Sequence, residues 1–275
     1  TEVDTLSLHD ALPISTNPFE LAESVRYSDD IFDKFQSTGL EEFRATESAY
    51  SNLGLKVSPD ITPDIYQHLE TVCFRLHLDM NKVRAFIISK SDVNAHCISF
   101  QKEGCVIALY SKLINLMSPG EIEFVIGHEI GHFLLNHSYF DEDPKITEEE
   151  SARSRAGEIS SDRIGLIACN DIDIAVKAMI RMQSGLSDQF LRFDTGAFLS
   201  QMRTEKGYQS YLTKNTHPSA TIRAKALLRF SLSDPYQQMK NNVEGTPLST
   251  IDAQIKKDLS GYFKRKNSSI FSDFF

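Results

Sequence analysis

The sequence predicts an α+β fold, mostly helical, with a small antiparallel sheet placed ahead of a pair of long helices. Helical apolar periodicity covers most of the chain. Three short β-like runs fall close together, at 83–88, 94–100 and 105–110. No internal repeat or low-complexity tract interrupts this order.

Residues 19–52 carry Phe32, Phe35, Leu40 and Phe43 among acids, the pattern of amphipathic helices. Asn52, Gly54, Ser58 and Pro59 then mark a linker. Ile65, Leu69, Val72, Cys73 and Leu76 share one face and predict a helix over 63–78. Lys102, Glu103 and Gly104 make the turn of a hairpin between the second and third β runs. Ser118-Pro119-Gly120-Glu121 is a helix start: serine caps, proline takes the first position, and glutamate closes a capping box. Helices are expected over about 119–137, 147–170, 172–184 and 219–230, with a poorly patterned segment at 186–211. The organisation expected is an N-terminal segment (1–60), a central domain (61–231) and a polar helical tail (232–275). Residues 1–14 resemble a translated sequencing adapter and carry no functional weight.

Composition excludes several classes. The net charge of −9, with lysine and arginine dispersed, does not suit a nucleic-acid binder. It does not suit a protein held on anionic lipid either. No apolar run approaches the roughly 18 residues needed to span a bilayer, and no secretory signal is visible, so a cytoplasmic location is expected. Cys73, Cys97, Cys105 and Cys169 form no CxxC pair. Cys97 and Cys105 could be bridged across the hairpin; four reduced, buried thiols is the preferred reading.

The helix from 119 is apolar almost all round: Ile122, Phe124, Val125, Ile126, Ile130, Phe133, Leu134 and Leu135. His128, Glu129, His132 and Asn136 fall together on one arc of it. Burying that many ionisable groups is costly unless they are paired or bind metal. His128 and His132, four residues apart, project from one face on consecutive turns. This His-Glu-x-x-His spacing suits two zinc ligands, with Glu129 beside them as general base rather than ligand. A catalytic zinc takes a third protein ligand and keeps one place open. Glu158 on the next helix is the candidate, and Asp162, four residues on, is placed to hydrogen-bond a ligand histidine. One Zn²⁺ per chain is expected. His137 is expected on a different face, at the surface or helix end, and Glu148, Glu149 and Glu150 as a solvated first turn.

With these residues, the chain resembles the type I CAAX prenyl endopeptidase and HtpX-like family of gluzincin metallopeptidases, over roughly 61–231. Gly127 to His132 is similar to that family's zinc helix, and Glu158 with Asp162 to its ExxxD pair. Asn94-Ala95 looks like the family's NA segment, on a strand that binds extended substrate. His217-Pro218 with Arg223 resembles its downstream HP…R element. The resemblance implies a zincin-like peptidase domain, oxyanion stabilisation by His217, support of the site by Arg223, and substrate contacts at Asn94 and Ala95. His96 stands where the family usually has phenylalanine, so the first subsite is expected to differ.

The function expected is a zinc endopeptidase acting on protein or peptide, with no nucleic-acid partner and no membrane insertion. Two alternatives stay open: a non-catalytic zinc protein acting through partners, and a protease specific for one cytoplasmic protein. Oligomeric state is not legible.

Overall fold

A computed structural model describes residues 15–30, 39–100, 103–137, 148–201 and 219–258. The elements in chain order are α1 (Pro18–Ser24), α2 (Leu40–Leu53), β1 (Leu55–Lys56), α3 (Pro63–Arg75), β2 (Val83–Ile88), β3 (Ala95–Ser99), β4 (Cys105–Tyr110) and α4 (Ser111–Leu116). There follow α5 (Pro119–Leu134), α6 (Glu148–Cys169), α7 (Ile172–Ser184), α8 (Thr195–Ser200), α9 (Ala220–Phe230), α10 (Asp234–Asn241) and α11 (Leu248–Asp258). No helix among the described residues is long and apolar enough to cross a membrane.

The sheet is mixed rather than wholly antiparallel, with strand order β1-β2-β4-β3. β3 and β4 form the expected hairpin, Ala95 opposite Leu109 and Ser99 opposite Cys105. β4 then inserts beside β2 and runs parallel to it, Val83 opposite Cys105. The physical reason lies in β4 itself: Cys-Val-Ile-Ala-Leu-Tyr is buried at every position, which suits a strand with neighbours on both edges. The segment expected to be pure linker contributes β1, where Leu55 pairs with Ile87.

The two faces of the sheet are covered differently. Cys105, Ile107, Leu109, Ala95 and Cys97 join the main core with α5. On the other face Phe43 of α2 closes over Phe86, Phe100 and Val106. All four cysteines are free and buried. α5 therefore lies between the sheet and α6, which is buried along its length from Arg155 to Cys169. The N-terminal segment belongs to this body too: Leu21, Ala22 and Val25 enter the main core, and Tyr27 packs with Ile159 of α6.

α5 begins as its sequence predicts. The Glu121 carboxylate accepts from both Ser118 N and Ser118 Oγ at 2.7 Å. Its other oxygen lies 3.1 Å from Arg181 Nε, an ion pair shut away from water. The helix ends at Leu134, three residues before the predicted end. Asn136 adopts φ 53°, and the His137 and Asn136 amides bond back to His132 O and Phe133 O at 2.9 and 3.1 Å. This is a Schellman turn, and asparagine is one of the few residues that takes the left-handed position readily.

Candidate metal centre

Glycine brings α5 and α6 together. A Cβ on Gly127 would stand 2.3 Å from Ala168 Cβ, and one on Gly131 would stand 2.9 Å from Ser161 Cα. The backbones thus approach more closely than ordinary side chains permit, and the neighbouring polar residues of the two helices meet.

His128, His132 and Glu158 converge: one ligand-type atom from each lies within 4.8 Å of the others. His128 Nε2 and His132 Nε2 are 3.1 Å apart, and each is 3.5 Å from an oxygen of Glu158. Glu158 and His128 are buried, whereas the His132 side chain keeps 20% of its surface accessible and forms the open side of the cluster. Such a donor set, two imidazoles and a carboxylate on packed helices, is one that could hold a divalent metal.

Asp162 and Arg223 surround this set. Asp162 Oδ1 lies 3.0 Å from His128 Nδ1. Arg223 donates from Nε to Asp162 Oδ2 at 2.8 Å, and its Nη1 is 3.0 Å from Glu158 Oε2. One guanidinium from α9 therefore pairs with two buried carboxylates. Burial alone would lower the His128 pKa, but the Asp162 hydrogen bond and the Glu158 charge outweigh it and hold the ring above its ordinary value. For Arg223 burial likewise opposes charge, and Asp162 and Glu158 more than offset it.

Glu129 is buried on α5 beside His128 and outside the three converging ligand atoms. Asn94 is exposed at the start of β3; its Oδ1 accepts from Ala95 N at 2.9 Å, and its carbonyl accepts from Tyr110 N at 3.1 Å. Ala95 is buried. The strand they begin packs against α5 and is one of the sheet's two edges among the described residues, β1 being the other. His217 lies outside the described residues.

His137 stands at the end of α5, as expected, but not on a separate face. The Schellman turn folds it back, so that His137 Nδ1 lies 3.1 Å from His132 Nδ1 and its Nε2 lies 3.0 Å from Asp30 Oδ2. Burial works to raise the Asp30 pKa, but the hydrogen bond and charge of His137 win, and the carboxyl is held below its ordinary value. The signal available in the sequence was Leu-Asn-His after the helix, a left-handed stop that reverses the chain. Nothing in the sequence pointed to Asp30.

Residues 59–142 match the family described as Peptidase family M48. The match covers 84 of the chain's 275 residues. Its matched residues include His128, Glu129, His132 and His137; Asp30, Glu158, Asp162 and Arg223 lie outside the match. Among similar curated proteins is the plastoglobule-localized metallopeptidase 48 of Arabidopsis thaliana, 22% identical over 53% of this chain and 51% of its own. Metalloprotease YcaL of Escherichia coli is 30% identical over 49% of this chain and 57% of its own. A protease HtpX homolog of Streptococcus uberis is 32% identical over 30% of this chain and 27% of its own. The chain thus spans about half the length of the first two. No solved structure matches it.

Proposed function

We propose that this chain is a zinc-dependent endopeptidase, with His128, His132 and Glu158 as ligands and Glu129 as general base. The observation that carries the reading is the set of separations 3.1, 3.5 and 3.5 Å among the two Nε2 atoms and the Glu158 oxygens. Zinc bonds of about 2.0–2.1 Å at a tetrahedral angle put neighbouring ligand atoms roughly 3.3 Å apart. The donor set therefore fits zinc in spacing as well as in chemistry. Three protein ligands leave the fourth place for water or substrate.

When bound, the ion supplies Lewis acidity, acidifying a water in that open place and polarising the scissile carbonyl. The side chains do the remaining work. Glu129 takes the proton of the attacking water and passes it to the leaving amine nitrogen as the C–N bond breaks. Asp162, hydrogen-bonded to His128 Nδ1, keeps the ring's Nε2 free of hydrogen and aimed at the ion. Arg223 ties Glu158 and Asp162 together, its guanidinium lying against both carboxylates. The family resemblance adds His217 as a donor to the oxyanion. An extended peptide is accommodated along β3 near Asn94 and Ala95, bound through main-chain hydrogen bonds as an added strand.

Glu129→Gln tests the base assignment. It is expected to retain zinc, measured by metal analysis, and to lose cleavage of a casein or generic peptide substrate by about 10²–10⁴-fold. Chelation should silence the unmodified chain. Retained turnover in Glu129→Gln refutes the base role; absence of zinc in the unmodified chain refutes the centre.

A further inference from the structure

We infer that Asp30 and His137 form a two-residue brace that fixes the tautomer and ring angle of His132, the more exposed of the two proposed histidine ligands. The inference rests on the zinc reading above and extends it to a residue outside the M48 match.

The proton arrangement decides the argument. For His132 to offer Nε2 to a cation, that nitrogen must carry no hydrogen, so Nδ1 carries it. His132 Nδ1 faces His137 Nδ1 at 3.1 Å, which must then accept. His137 consequently carries its hydrogen on Nε2 and donates it to Asp30 Oδ2 at 3.0 Å. Both contacts are satisfied by this one arrangement. The Ser161 hydroxyl, 3.3 Å from the same His137 Nδ1, rotates to suit either tautomer and does not choose between them. A carboxylate at the far end chooses, because it can only accept.

The surroundings hold this brace in place. The Schellman turn at Asn136 returns His137 to the helix it has just left. Gly157, next to Glu158 on α6, leaves the slot the ring occupies: a Cβ there would stand 3.2–3.3 Å from three atoms of the His137 ring. The segment bearing Asp30 is tied to both helices. Tyr27 N donates to Ser160 Oγ at 3.0 Å, and Arg26 Nη2 donates to Leu135 O at 3.3 Å. Asp30 itself is 7% exposed. Each ring thus ends on a buried carboxylate, His128 directly on Asp162 and His132 through His137 on Asp30. Partners of this kind commonly contribute 10–100-fold in metal affinity.

Asp30→Asn removes the choice while keeping the shape. Its amide can donate to His137 Nε2, which drives the hydrogen to Nδ1 and sets two N–H groups against each other at His132. Zinc affinity of the full chain is measured by competition with a chromophoric chelator. Asp30→Asn is expected to bind about 10–100-fold more weakly, with an unchanged circular-dichroism spectrum. Asp29→Asn is the control, since Asp29 pairs with Lys256 at 2.7 Å while Asp30 is the carboxylate that meets His137, and its affinity should not move. Long-range ¹H–¹⁵N spectra of the zinc-loaded chain should place the His137 hydrogen on Nε2. Equal zinc affinity for Asp30→Asn and the unmodified chain overturns the proposal, as does a His137 hydrogen on Nδ1. Should Asp30→Asn not fold, His137→Asn, which keeps an acceptor near the Nδ1 position, is compared with His137→Ala. Tighter binding by the asparagine variant supports the brace, and equal binding overturns it. Failure of the zinc reading looks different: the unmodified chain then binds no more tightly than His128→Ala, and both claims fall.

Discussion

α5 is gripped on two sides, and the two contacts are made in opposite ways. Toward the sheet it meets Cys97, Ile107 and Leu109 with ordinary apolar side chains. Toward α6 it presents Gly127 and Gly131, and the close backbones are flanked by buried charged groups that neutralise one another. The first contact stores its stability in volume and tolerates shape changes that keep that volume. The second depends on side chains being absent. It gives up packing area so that two imidazoles and a carboxylate from different helices meet.

Substitutions can break this contrast. The largest effect is expected from Leu109→Ala on the sheet side: about 2–5 kcal/mol of stability lost by chemical denaturation. Zinc affinity of the molecules that remain folded should stay within about twofold. A large loss of affinity there would mean that the sheet, and not the glycine contact, sets the geometry of the site. Gly127→Ala comes next, with about 1–3 kcal/mol from overpacking against Ala168. Here zinc affinity should fall along with stability, because the helices must separate. An alanine variant that binds zinc normally would show that close approach is not needed.

The smallest effect sharpens the comparison from outside the core. Glu47 of α2 accepts from Lys56 Nζ at 2.8 Å and Arg84 Nε at 3.0 Å across the outer face of the sheet. Partial burial tends to raise its pKa, but the two cations prevail and hold it below the ordinary carboxylate value. A depressed folded-state pKa gives stability present above the unfolded value and lost as pH falls through the folded value. Glu47→Gln should therefore cost less than about 1 kcal/mol at neutral pH, with the difference fading under acid. Zinc affinity should not respond at any pH.

What the sequence revealed divides along the same contrast. β2, β4, α3 and the start of α5 were legible, because apolar period and capping chemistry are local. So was the association of His128, Glu129 and His132, since one helical turn brings them to one arc. The mixed sheet was not, because a hairpin signal says nothing about which strand β4 meets on its other edge. The end of α5 was misread because apolar periodicity continues to Leu135, and the left-handed Asn136 outweighs it only in three dimensions. Asp30 was invisible. It reaches His137 across 107 positions of chain, and one of two adjacent aspartates inside an amphipathic stretch has no pattern of its own.

Arg163 of α6 bears on where the chain can be trimmed. Its guanidinium is fully enclosed between the Tyr27 and Phe230 rings, donates to Val25 O, and finds its counter-charge in Asp252 of α11. A polypeptide stopped after Phe230 would keep that cation and lose the carboxylate, leaving an uncompensated charge in the interior at a cost of several kcal/mol. The last helices described thus act as a plug for the middle of the fold, and shortened versions intended for crystallisation or assay should run through Asp258.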